Sequence, residues 1–194
     1  MQNLRKFRSY LSMSGVASIS RRYFVLNSFD GAMAILGVVM GAYSSGTVNP
    51  RIVIGASIGA AIAMGASGFS GAYLTERAER RIRLIDLEKA MLTDVSSSIH
   101  GRAMRIATFW AALIDGLSPM LTALIPMIPF FLNLLHLISV DQAVWCSVLS
   151  IMLILFLLGA FLGRVSKENV IHSGARMVIV AVFVALITWL IGRS

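Results

Sequence analysis

Acidic residues are scarce in this sequence: nine Asp and Glu stand among 194 positions, against seventeen Lys and Arg. Charged residues of both signs make up 13%, about half the ~25% that an ordinary soluble domain carries. So few charges cannot coat a water-facing surface of this length. Cysteine occurs once, at Cys146, which excludes an intramolecular disulfide and any CxxC metal site. Lying in an apolar run, Cys146 reads as a small buried hydrophobe. Proline occurs four times, and three of the four fall at 119, 126 and 129. Gly-x-Ser-x-Gly, a Walker loop and His-Glu-x-x-His are all missing, so no enzyme is expected. His100, His136 and His172 fall in connections or at span ends, where histidine is an interfacial polar residue.

What is abundant is apolar. The chain is 57% hydrophobic with a mean hydropathy of +0.81, more than a soluble core of this size can bury. A membrane helix needs about 20 mostly apolar residues to cross a ~30 Å hydrocarbon layer. Five segments qualify: 23–43, broken only by Asp30; 52–75, uncharged; 106–132, with Asp115 and three prolines; 143–163, uncharged; and 170–191, with Arg176 near its start. The expected fold class is therefore all-α, a polytopic membrane protein with five transmembrane helices.

The basic residues lie in short patches between these runs, which excludes nucleic-acid binding and sets the orientation. Five Lys and Arg fall in 1–22, seven in 76–105 and three in 164–176, whereas the opposite side holds only Arg51 and Arg193. Fifteen against two places the N-terminus in the cytoplasm and the C-terminus outside. Residues 1–22 do not resemble a signal peptide, because the stretch between their basic clusters is serine-rich rather than apolar. Residues 3–20 read as a short basic helix on the anionic leaflet, with Leu4, Phe7 and Leu11 on one side, or as a disordered tail. The organisation is a basic N-terminal segment (1–22), spans one and two (23–75), a charged cytoplasmic segment (76–105) and spans three to five (106–194). No glycine or proline interrupts 72–92, so the second span should continue as a helix into the cytoplasm until Ser96 to Ser98 and Gly101 break it.

Two intramembrane acids are the informative residues. A carboxylate in lipid costs several kcal/mol and is by default a functional-site hypothesis. Asp30 lies eight residues past Arg22, about 12 Å along a helix, and Asp115 is nearer the midplane. Met33 shares the face of Asp30, with Met40 further on and Met64 in the second span. A mixed carboxylate–thioether set suits a borderline transition metal rather than magnesium or calcium. Both acids have the alternative of a structural role, by a hydrogen bond to a neighbouring helix or by pairing with Arg176. Small residues crowd the first two spans: Gly31, Gly37 and Gly41, then Gly55, Gly59, Ala63, Gly65, Gly68 and Gly71. In lipid such residues mark helix contacts, here either within one subunit or between subunits. Asn27-Ser-Phe-Asp30-Gly31 is echoed by Ala112-Leu-Ile-Asp115-Gly116, which hints at a parallel duplication. The prolines of the third span suggest a bent helix, lining a passage or simply kinked.

Val25-Leu-Asn-Ser-Phe-Asp30-Gly31 with Leu36-Gly-Val-Val-Met-Gly41 resembles the first helix of the vacuolar iron transporter family. Ala63-Met64-Gly-Ala through Arg81 looks like that family's second helix, and Leu124-Ile-Pro-Met-Ile-Pro-Phe130 like the end of its third. The resemblance covers about residues 21–192. It implies a homodimer in the cell membrane that exports ferrous iron or manganese, with proton antiport and no permanently bound cofactor. The family's pore aspartate and methionine fall on Asp30 and Met64, and Met33 and Asp115 join them as metal candidates. Two departures matter. The glutamate expected shortly after the methionine is absent from Ser67-Gly68-Phe69. The glutamate-rich cytoplasmic domain is reduced to about thirty residues, leaving Glu76 and Glu79 as a cytoplasmic site where metal first binds. The alternatives are a dimeric scaffold or adaptor that uses the basic helix to hold lipid or a protein, and a proton-coupled transporter of another solute.

Overall fold

The computed structural model describes residues 16–92 and 99–192, with side chains from 20 in the first stretch and from 104 in the second. It contains α1 (Val16–Ser44), α2 (Pro50–Met91), α3 (Ile99–Leu134), α4 (Val140–Ser166) and α5 (Val170–Ile191), with no strand among the described residues. All five helices are long and apolar enough to cross a membrane. The fold class read from composition and run length is therefore the observed one.

The 42 residues of α2 extend about 63 Å, twice the ~30 Å hydrocarbon layer. The unbroken 72–92 stretch thus has the effect anticipated, and the helix stops where Leu92 turns to φ 52°. One expectation is corrected here. Gly101 lies inside α3, so it does not break the chain before the third span; Ser96 to Ser98 fall outside the described residues. Of the stretch 3–20, residues up to 15 are likewise outside, while 16–20 already belong to α1. A helix carrying Gly101 costs only about 1 kcal/mol relative to alanine, which its neighbours offset.

The described links, 45–49, 135–139 and 167–169, are short, and caps mark the helix ends beside them. Gly46 takes φ 76° after α1, a left-handed conformation that only glycine adopts freely. Asn49 then caps α2, its Oδ1 accepting from Arg51 N at 3.0 Å, with Pro50 at the first helical position. Ser139 and Gln142 form a reciprocal capping box at the start of α4. Lys167, at φ 60°, closes α4, and Asn169 caps α5 through the N–H groups of Ile171 and His172.

The described residues form two compact units, one within 1–24 and 65–117 and one within 25–64 and 118–194. The core of the second draws on all five helices: Ile35, Leu36 and Val39 of α1, Val53 of α2, Met127 and Phe130 of α3, Ile151 and Leu155 of α4, and Ala181 of α5. Its outer surface is just as apolar, with Leu149, Ile171 and Ile179 about two-thirds exposed. Such a surface is stable only against lipid, so these helices are held by close packing rather than by the hydrophobic effect. Cys146 lies on that outer surface. The expectation of a buried cysteine is corrected: in a lipid-facing helix a small apolar side chain gains nothing by turning inward.

Candidate metal path

The α1 helix divides cleanly around its acid. Ala32, Ile35, Leu36 and Val39 point into the core of the second unit, and Met40 joins them, 7% exposed. Asp30 is exposed, and Met33 and Gly37, three and seven residues on, share its side of the helix. Met33 is half-buried and packs along the edge of the core. A Cβ built on Gly37 would meet nothing within 4 Å. Met64 of α2, in the same unit, is also half-buried. Met40 therefore leaves the candidate set, and Asp30, Met33 and Met64 remain accessible. Among the described residues no three His, Cys, Asp or Glu side chains cluster as a metal-binding set. Any metal held at Asp30 would need ligands of another kind or from elsewhere.

The glycine after each aspartate explains the Asp-Gly echo. A Cβ on Gly31 would stand 2.7 Å from the carbonyl oxygen of Pro119 and 2.8 Å from its Cα. A Cβ on Gly116 would stand 2.7 Å from the carbonyl oxygen of Gly65 and 2.9 Å from Cβ of Phe69. In both pairs the glycine lets a second helix approach to backbone contact, which no other residue permits. The acids differ. Asp30 is exposed, whereas Asp115, in the first unit, is 7% exposed, with its Oδ2 pressed towards Gly68. Pro119, four residues on, takes away the N–H that would ordinarily serve the Asp115 carbonyl. Asp115 is engaged by its surroundings, and Arg176 pairs elsewhere, with Glu168 at 3.5 Å.

The small residues of α2 sort in the same way. Gly65 is buried against Gly116, so that part of the stripe packs within the chain. Gly55 and Gly59 have nothing within 4 Å of a built Cβ, and Ala56 and Ala63 beside them are exposed. Packing within the chain thus accounts for the Gly65 part of the stripe and leaves the Gly55–Gly59 part without an intrachain contact.

Glu76 has a partner that spacing alone hinted at. It is 5% exposed and accepts from Arg80 Nε at 3.0 Å and from the Tyr23 hydroxyl at 3.1 Å. This i,i+4 pair is visible in the sequence, but its burial is not. Glu79 is exposed and loosely paired, 3.7 Å from Arg83 Nη2. Any metal reaching Glu76 competes with a guanidinium already in place. In the second unit, a cleft of about 530 Å³ is lined by Tyr43, Val48, Val140 and Trp189, with Asp141 as its acid. Tyr43 meets Trp145 edge-on, ring centres 5.8 Å apart. Aromatics gathered at helix ends in this way mark a membrane–water boundary.

A VIT family model matches residues 84–193, more than half of the chain. The match takes in the end of α2 and all of α3, α4 and α5, and Asp30 and Met64 lie outside it. An uncharacterized protein of Methanocaldococcus jannaschii is 37% identical over 177 residues, 89% of this chain and 88% of that protein.

Proposed function

The chain belongs to the VIT family, and from that premise we propose that it exports a divalent metal ion, ferrous iron or manganese, in exchange for protons, with Asp30 as the ionisable centre. It is a multi-pass membrane protein of a transporter family; the cargo, the coupling and the site are the proposal.

One observation carries the reading: an acid lies exposed within a membrane span. A carboxylate facing lipid costs about 2.5–3.5 kcal/mol on insertion scales, so such a residue persists only where something else meets it. The face it shares with Met33 and Gly37 is free of intrachain neighbours at Gly37, and so is the Gly55–Gly59 face of α2 in the same unit. A second copy of the chain laid on these faces removes Asp30 from lipid and doubles the ligand set to two carboxylates and up to four thioethers. The homodimer is thus part of the proposed mechanism, with the N-terminus and the long α2 extension in the cytoplasm, in the cell membrane.

Ionised Asp30 binds the cation, and protonated Asp30 does not. Metal binding requires the deprotonated ligand and releases a proton, which couples the two fluxes. Sulfur ligands favour a borderline transition metal over magnesium or calcium. The absent glutamate at Ser67-Gly68-Phe69 leaves Asp30 as the acid of this set. The test is metal uptake into vesicles carrying the purified protein, with internal pH followed in parallel. Asp30→Asn should abolish metal-driven proton movement while the size-exclusion profile stays at the parent position and melting does not fall. Transport at the parent rate by Asp30→Asn sinks the proposal. Folded parent protein that moves no metal favours the scaffold reading instead.

A further inference from the structure

A second polar feature lies where α2 and α3 pass through the edge of the apolar belt. The apolar run of α2 stops at 75 and that of α3 starts at 106. Between these levels, within the first unit, lies a cleft of about 390 Å³. Its α2 wall carries Arg77, Arg81, Leu84 and Glu88, at i, i+4, i+7 and i+11, one stripe of the helix. Met104, Arg105 and Thr108 line it from α3. Four arginines reach the cleft against a single acid of its own, Glu88.

Arg80 adds the telling detail. Its side chain is 6% exposed and lines the cleft, and its Nη2 is a buried donor without a hydrogen-bond acceptor among the described residues. That nitrogen lies 3.0 Å from Glu76 Oε2, in a buried ion pair whose hydrogen bond is made by Nε. Arg77 and Arg81 are exposed and have no acidic partner among the described residues.

We propose that this cleft binds the phosphate of an anionic phospholipid headgroup. Guanidinium groups match phosphate oxygens in geometry and charge. A set this positive repels the divalent cations proposed for Asp30, so it is no cation site. The depth selects a lipid over a soluble anion: the cleft lies at the ends of two apolar runs, where headgroups are, and Leu84 and Met104 offer apolar contact to the glycerol and upper chain. Basic pockets between membrane helices are suited to such headgroups. The site does not rest on the transport reading, and it gives the arginine-rich 76–105 segment a role in fixing α2 and α3 to the leaflet.

The test uses the full-length protein in a neutral detergent, titrated with phosphatidylglycerol, phosphatidylcholine or inorganic phosphate, with bound molecules counted by native mass spectrometry. Phosphatidylglycerol should bind at least tenfold more tightly than phosphatidylcholine. Arg77→Gln with Arg81→Gln should weaken it about 25-fold, at roughly fivefold per arginine. Arg83→Gln with Lys89→Gln removes the same charge from the same helix outside the cleft and should change binding less than twofold. Equal loss in both double variants would mean a diffuse basic field and overturns the site, as does no loss in either. Inorganic phosphate binding as tightly as the lipid overturns the headgroup assignment.

Discussion

Glu76 and Arg80 offer the sharpest test of the first unit, because their energies can be worked from burial. Both side chains are 6% exposed and 3.0 Å apart, and the Tyr23 hydroxyl donates to the same carboxylate. Removing one partner of a buried ion pair costs about 3–5 kcal/mol, most of it the charge left behind. Glu76→Gln keeps the shape and strands the Arg80 guanidinium. On the soluble-protein scale of about 2–4 °C per kcal/mol for chains of this size, it should lower the melting midpoint by about 10 °C. Adding Arg80→Met removes the stranded charge and should recover more than half of that loss. Tyr23→Phe removes one hydrogen bond to a charged group and should cost about 1.5 kcal/mol. Scanning fluorimetry in detergent reads all four proteins. If Glu76→Gln melts within 2 °C of the parent, the pair is not structural, and the carboxylate is then at liberty to serve as the first cytoplasmic metal contact.

The sorted glycines predict two different failures. Gly31→Ala and Gly116→Ala push a Cβ to 2.7 Å from a backbone oxygen and should lower yield and melting temperature, whereas Gly59→Leu has room within its own chain and should weaken the proposed dimer, read by light scattering, with little effect on melting. An intact Gly59→Leu dimer would move the seam elsewhere. The fifteen-to-two charge bias predicts that a periplasm-active reporter fused at the C-terminus is active and one at residue 90 silent; the reverse pattern discards the proposed orientation.

The sequence was most legible where the bilayer dictates the rule. Span number followed from run length alone, since lipid demands about 20 apolar residues whatever the neighbours do. The fifth boundary, 170–191, coincides with α5 because Asn169 caps it. Continuation of α2 past its span followed from the lack of any breaker over 72–92. What could not be read was the side of each helix. Apolar residues line the lipid as fully as the core, so no hydrophobic stripe told Met40 from Met33, or Cys146 from its buried neighbour Ser147. Nor does a small-residue stripe disclose what fills it: Gly65 and Gly59 look alike in sequence, and only the position of Gly116 separates them. The Glu76–Arg80 spacing was visible, but the sequence held no sign that both would be buried.

The two Asp-Gly pairs can be separated by one paired experiment. Both glycines serve helix contact, so the pairs share a structural grammar whether or not they descend from a duplication. The acids differ in setting: Asp115 is enclosed beside Gly68, while Asp30 faces outward. An enclosed carboxylate contributes to the fold through its contacts, so Asp115→Asn should lower the melting midpoint by several degrees and leave the metal flux of the surviving folded protein within a few-fold of the parent. An outward carboxylate in lipid contributes nothing to the single chain and opposes its insertion, so Asp30→Asn should leave melting unchanged or raise it while flux disappears. The crossing of the two effects is the decisive feature, since a general loss of folding would move both measurements together. Should Asp115→Asn abolish flux at an unchanged melting midpoint, the ionisable centre lies in the third helix rather than the first.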